Sequence, residues 1–150
     1  LLELLAPFTI ISVCPEEEAG LGVPRQPMEV KGGQMVRRDG KKVTEQVRQG
    51  IKRCLQQIED QEVIGAVLKD QSPTCGCGQI YDGSFSGTLI TGDGWLTLAL
   101  KKRGIACWSA EAVVEKPSLL EKSRNVFHPE ASNDGMFEGK LKIRKRSKRD

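Results

Sequence analysis

Hydroxyls, thiols and glycines crowd into one short run of this chain, Ser72-Pro73-Thr74-Cys75-Gly76-Cys77-Gly78. It follows the apolar stretch Val63-Ile64-Gly65-Ala66-Val67-Leu68, with only Lys69, Asp70 and Gln71 between. Another thiol, Cys14, ends a second apolar run, Phe8-Thr9-Ile10-Ile11-Ser12-Val13, and is followed by Pro15 and the carboxylates Glu16 to Glu18. Thiols delivered from separate segments to one place suit a cluster or a soft metal better than packing alone. Three chemistries compete. In an iron-sulfur site, thiolates hold most irons and an incomplete ligand set leaves one iron open as a Lewis acid. Structural zinc fits less well, because Cys75 and Cys77 are one residue apart rather than in a C-x2-C knuckle, and His128 is the single histidine. Nucleophilic or redox cysteine chemistry lacks a C-x-x-C pair and would need His128, which sits next to Pro129 and near no cysteine, as its base.

The elements that must carry these residues follow from periodicity. Val63 to Leu68 has the composition of a central strand buried on both faces, and Pro15 stops the strand ending at Val13. Both cysteines then leave their strands at the carboxyl ends, the rim at which open α/β sheets bind ligands. The segment Glu16 to Pro27, broken by glycine and proline, reads as an ordered loop across that rim. Met28–Val30 and Gln34–Arg38 flank Gly32-Gly33 as a small hairpin. Val47, Ile51, Cys54, Leu55 and Ile58 fall at helical spacing behind Thr44, a fair N-cap, so this is a crossover helix with Cys54 in its core stripe. After the cysteine loop, Gln79 to Ser86 alternates around the hairpin-type pair Asp82-Gly83. Asp93 is placed to cap a helix holding Trp95 to Leu100, closed by Lys101-Lys102-Arg103 and Gly104. Ile105 to Trp108 makes a last strand with Cys107 buried in it. The alternation predicts a single α/β, Rossmann-like domain with a mainly parallel sheet flanked by helices and small β-hairpin excursions.

A length of 150 residues accommodates one domain and a tail. Residues 1–114 hold 13 basic and 14 acidic side chains, net −1, whereas residues 115–150 hold 10 and 6, net +4. The boundary is therefore expected near Val114. The polar, basic remainder, ending in Lys140 to Arg149, reads as a solvated, disordered tail, and its charge says little about nucleic-acid binding by the folded part. Five cysteines, an odd number, point to a reducing compartment, with the cytoplasm as default. Leu1 to Ala6 carries Glu3, lacks a basic flank and meets Pro7, so it reads as the last turns of an amphipathic helix with residues expected before it, not as a signal peptide. No run reaches the length of a membrane span.

Several strings together resemble the bacterial thiouracil desulfurase family over about residues 1–112: Val13-Cys14-Pro15-Glu16, Gly20-Leu21-Gly22-Val23-Pro24-Arg25, Leu68-Lys69 followed by Ser72-Pro73-Thr74-Cys75-Gly76, and Ile80 to Gly87. The resemblance implies a 4Fe-4S cluster held by three cysteines, with the fourth iron free to take sulfur from a thiolated pyrimidine. It implies release of that sulfur as hydrosulfide without net redox change. Carried over, Cys14 and Cys75 match two cluster ligands, and Ser72 matches a proton relay or substrate contact. Glu16 is the candidate base that activates water, and Arg25 the residue that holds a substrate edge. The family's third ligand lies in an N-terminal strand and loop upstream of the helix at Leu1–Ala6. This chain as written is thus expected to be one ligand short and to leave a gap or open edge in its sheet, with Cys77 as a weak stand-in. Substrate form (base, nucleoside or thiolated RNA) and oligomeric state are not set by these residues. The competing reading is a non-catalytic metal- or nucleotide-binding module with a nucleic-acid-tethering tail.

Overall fold

A computed structural model describes residues 1–22, 24–121 and 141–145. Among these, the elements run α1 (Leu2–Leu5), β1 (Thr9–Val13), α2 (Pro15–Glu18), β2 (Met28–Lys31), β3 (Gln34–Arg37), α3 (Thr44–Ile58) and β4 (Val63–Leu68). They continue with β5 (Gln79–Tyr81), β6 (Leu89–Thr91), α4 (Trp95–Lys102), β7 (Cys107–Ser109), α5 (Ala110–Glu115) and β8 (Leu141–Lys145).

The main sheet has the order β1-β8-β4-β7. Strands β4 and β7 pair in parallel, Ala66 opposite Cys107 and Leu68 opposite Ser109. Strand β8 is antiparallel to both β1 and β4, with Val13 opposite Leu141 and Val67 opposite Lys142. Hence β1, β4 and β7 share a direction, as expected, while the ladders themselves are mixed: the expectation of a mainly parallel sheet is corrected by β8, which takes the place between β1 and β4. Strand β8, from the stretch read as tail, lies beside β1 in this sheet. Leu120, in a helical turn over 118–121, is also buried, although it too lies beyond Val114. His128 lies outside the described residues.

Two hairpins complete the strands. In β2–β3, Lys31 faces Gln34, so the loop is the two glycines Gly32 and Gly33, at φ of 56° and 73°. Two positive φ values in a two-residue loop give the twist that paired strands need. Strands β5 and β6 pair around a longer connection, residues 82–88, than a two-residue Asp-Gly turn would make. The overall architecture is mixed α/β, with small sheets, parallel and antiparallel, flanked by helices.

The core lies on both faces of the main sheet. Alternation along β4 sends Ala66 and Leu68 to one cluster with Val47, Ile51, Cys54, Leu96 and Leu100, and Val67 to another with Leu5, Phe8, Val113 and Leu120. Cys54 is 1 % exposed, in the core as its helical spacing requires. Cys107 is half-buried rather than fully buried, because β7 is an edge strand. Among the described residues, no helix is long and apolar enough to cross a membrane.

Two expected caps are corrected. Thr44 is the first helical residue of α3 and its hydroxyl is engaged with β3, accepting from the Met35 amide at 2.9 Å and donating to Gln34 Oε1 at 2.7 Å. Asp93 does not cap α4; its carboxylate takes the Gly78 amide at 2.8 Å and Lys101 Nζ at 2.7 Å. The α4 N-terminus is capped by the cysteine loop itself: Trp95 N donates to Pro73 O at 3.1 Å and Leu96 N to Thr74 O at 2.8 Å. This satisfies amides that a helix leaves without internal partners and ties the loop to a rigid element.

Candidate functional site

Both apolar runs end where expected, and the strands that carry them point the same way, so Cys14 and the loop holding Cys75 meet at one rim. Cys14 is the N-cap of α2, whose first turn is Pro15 and three glutamates. This turn of helix falls inside the segment expected to be loop; proline at N1 and the acidic first turn are its signals. It packs so closely on α3 that a Cβ on Gly50 would lie 2.2 Å from Pro15 O.

Arg25 joins the two halves of this loop. Its Nε donates to Glu16 Oε2 at 2.5 Å, Nη1 to Gly22 O at 2.7 Å, and Nη2 to Cys14 Sγ at 3.9 Å. Burial alone would lower the Arg25 pKa, but the bond and attraction to Glu16 outweigh it, and the pKa is raised. Three of the five guanidinium N–H donors are thus used, leaving about two for another partner.

Across the rim, Thr74 connects the same glutamate to the second thiol. Its Oγ1 donates to Glu16 Oε1 at 3.5 Å and lies 3.5 Å from Cys75 Sγ and 3.0 Å from Ser72 Oγ. Ser72 Oγ also accepts the amides of Thr74 and Cys75, each at 3.2 Å, so one hydroxyl folds the loop around itself. The set Cys14, Arg25, Glu16, Thr74, Cys75 and Ser72 is therefore continuous. Thr74, 1 % exposed, is the member that sequence reasoning missed. Its one signal was its place between the serine and the cysteine.

The Cys75 thiol is pushed up to about 12, by burial first, with the charges of Glu16 and Cys14 adding to the rise and the bond from Thr74 and the charge of Lys69 offsetting part of it. A ligated thiolate at this position would have to release a proton that the buried site otherwise retains. Cys77 stands apart: its thiol donates to Cys107 O at 3.4 Å, on the β7 side. Among the described residues, no group of three or more His, Cys, Asp or Glu side chains is arranged to hold a metal ion. The donor chemistry, two thiols tied through Arg25 and Thr74 to one carboxylate, fits part of a cubane's ligand set, and Cys77 is not brought to it.

A cavity of about 640 Å³ has walls that include Glu16, Arg25, Lys69, Ser72, Tyr81 and Phe85. Its size falls within the range of small-molecule sites. Its walls reach the site through Glu16, Arg25 and Ser72; Cys14 and Cys75 are not among them.

A thiol pair at the carboxyl rim of a mixed α/β fold, held by a carboxylate–guanidinium pair and adjoining a ligand-sized cavity, is the architecture of a small-molecule site built around sulfur. The chain belongs to the 2-thiouracil desulfurase family, whose sequence profile matches residues 1–112. It is 36 % identical over 104 residues to the uncharacterized protein YbbK of Bacillus subtilis (strain 168), a match covering 63 % of this chain and 69 % of that protein. Its fold is similar to that of the [4Fe-4S]-dependent thiouracil desulfidase TudS, with a TM-score of 0.68 and 35 % identity over 75 % of this chain and 74 % of that one.

Proposed function

We propose that this protein is a [4Fe-4S]-dependent desulfidase that converts a thiolated pyrimidine and water to the oxo-pyrimidine and hydrosulfide. The observation that carries the reading is the linkage of Cys14 and Cys75 to Glu16 and Ser72, which line one cavity, in a chain of this family. Cys14 and Cys75 supply two thiolate ligands. When bound, the cluster contributes a Lewis-acidic iron that polarises the C=S bond. The chain's own residues do the rest. Glu16 takes a proton from water as its oxygen bonds to the ring carbon, and the C–S bond breaks with its electron pair on sulfur. Ser72, through Thr74, relays a proton between Glu16 and the departing group. Carbon keeps its oxidation level, so no external electron donor is needed. Arg25 fixes the Glu16 carboxylate and, with its remaining N–H groups, meets a carbonyl edge of the substrate. The common direction of β1, β4 and β7 supports a single Rossmann-like unit as the carrier of this chemistry. Thiouridine and thiolated RNA fall within the same reaction class.

Anaerobic reconstitution of the full natural protein with iron and sulfide, followed by sulfide release from 2-thiouracil, 4-thiouridine and a thiolated RNA, tests the reading. We expect release without added reductant, and Glu16→Gln is expected to lower kcat about 100-fold while iron content is retained. Iron bound without sulfide from any of the three substrates would leave a binding module and end the enzymatic reading.

A further inference from the structure

Two non-glycine residues among those described adopt a left-handed backbone, Gln71 at φ 61° and Phe85 at φ 56°, and both line the 640 Å³ cavity. Such a conformation is costly for a bulky aromatic residue and persists only where surrounding bonds dictate it. At Phe85 those bonds come from Glu29, a carboxylate 6 % exposed on β2. Glu29 Oε1 accepts the Gly83 amide at 2.9 Å and the Phe85 amide at 3.2 Å. Gly83 itself, at φ 93°, presses on β2 so tightly that a Cβ would meet Val30 O at 2.5 Å. A buried carboxylate is expensive unless its bonds are met, and here it gives them to a turn whose outer side is exposed. Gln71 Oε1 accepts from Tyr81 Oη at 3.2 Å, which fixes the second strained residue against a second aromatic side chain that lines the cavity. The strained residues and their supports thus all line this cavity.

We infer that Phe85 is the stacking wall for the planar ring of the substrate, a specificity-determining residue, and that Glu29 is the positioning residue that holds the Phe85 turn against the cavity. The inference rests on the desulfidase reading for the identity of the ring, a uracil-type base. A flat apolar face discriminates a planar ring from a puckered or aliphatic thiocarbonyl compound without touching the reacting carbon, so its effect belongs in binding rather than in the chemical step.

Uracil is the binding probe, titrated by NMR into the reconstituted protein, and 2-thiouracil is the kinetic substrate. For Phe85→Leu we expect KM and the uracil Kd to rise about tenfold with kcat within about twofold, and Phe85→Tyr to behave as wild type. Glu29→Leu should follow Phe85→Leu, whereas Glu29→Gln, which keeps an acceptor for the two amides, should restore KM and Kd. Unchanged KM and Kd in Phe85→Leu would overturn the wall. A fall in kcat and Tm alone in Glu29→Leu, with KM and Kd unmoved, would overturn the positioning role. Should Glu29→Leu fail to fold, Glu29→Ser, whose hydroxyl is too short to reach the two amides, is read in its place, and Phe85→Leu still decides the wall. A wild-type protein that binds uracil through Phe85 but releases no sulfide strikes the desulfidase reading and leaves the wall standing. One that releases sulfide with Phe85→Leu unaffected does the reverse.

Discussion

At the scale of single residues, the site couples groups whose charges would otherwise conflict. Glu16 and two thiols lie near one another, and Arg25 offsets them by bonding Glu16 and Cys14 at once. Thr74 adds a buried hydroxyl that ties Glu16 to the Cys75 loop. The core thiol Cys54 behaves as Cys75 does: its pKa is pushed up to about 12 from an ordinary 9.0, by burial first and then by the charge of Cys75. The sign of the effect on stability follows. Folded protein keeps the Cys54 proton that unfolded chain gives up from about pH 9, so this contribution is full below pH 9 and is lost as pH rises toward about 12. Urea midpoints of wild type and Cys54→Ala at about pH 8 and about pH 10 measure it, through the linear dependence of stability on denaturant. The variant starts lower because it leaves a cavity, but declines less steeply with pH. Equal declines would mean that Cys54 ionises freely in the folded state.

At the scale of elements, the cysteine loop and α4 form one unit. Gly94, the α4 N-cap at φ −64°, has a backbone any residue adopts, yet a Cβ there would meet Thr74 C at 2.4 Å and Cys75 N at 2.5 Å. Backbone atoms held by Ser72 and by α4 cannot give way as a flexible side chain does. Gly94→Ala is therefore expected to cost about 1–3 kcal/mol, typical of overpacking, and to lower iron uptake by displacing Cys75. Thermal melting and iron content after reconstitution check both; a wild-type value for each would show that the loop has room. The constraint on Gly94, the backbone of Thr74 and Cys75 pressing on it from a distant part of the chain, has no local periodicity to betray it.

At the scale of the whole molecule, the main sheet closes only through β8. Without it β1 and β4 would present facing rows of amides and carbonyls, each a template for a foreign strand. Ile143→Pro removes an amide from a strand paired on both sides, and a lost ladder bond predicts a Tm lower by about 4 °C or more. Unchanged Tm, together with unchanged amide-exchange protection in β1 and β4, would show that the sheet does not depend on β8. What the sequence determined by itself was the set of parts: the strand and helix periods, the thiols at strand ends, the glycine hairpin, and the motif strings that match the family. Those features are local, written within a few residues of one another. Only the tertiary structure decided that Asp93 bonds Gly78 rather than capping α4, that Glu16 meets Thr74 across 58 residues, that Cys77 faces β7, and that a basic segment becomes the strand beside β1. Each depends on which distant group reaches a donor or acceptor first once the core has packed, a competition that no local pattern records.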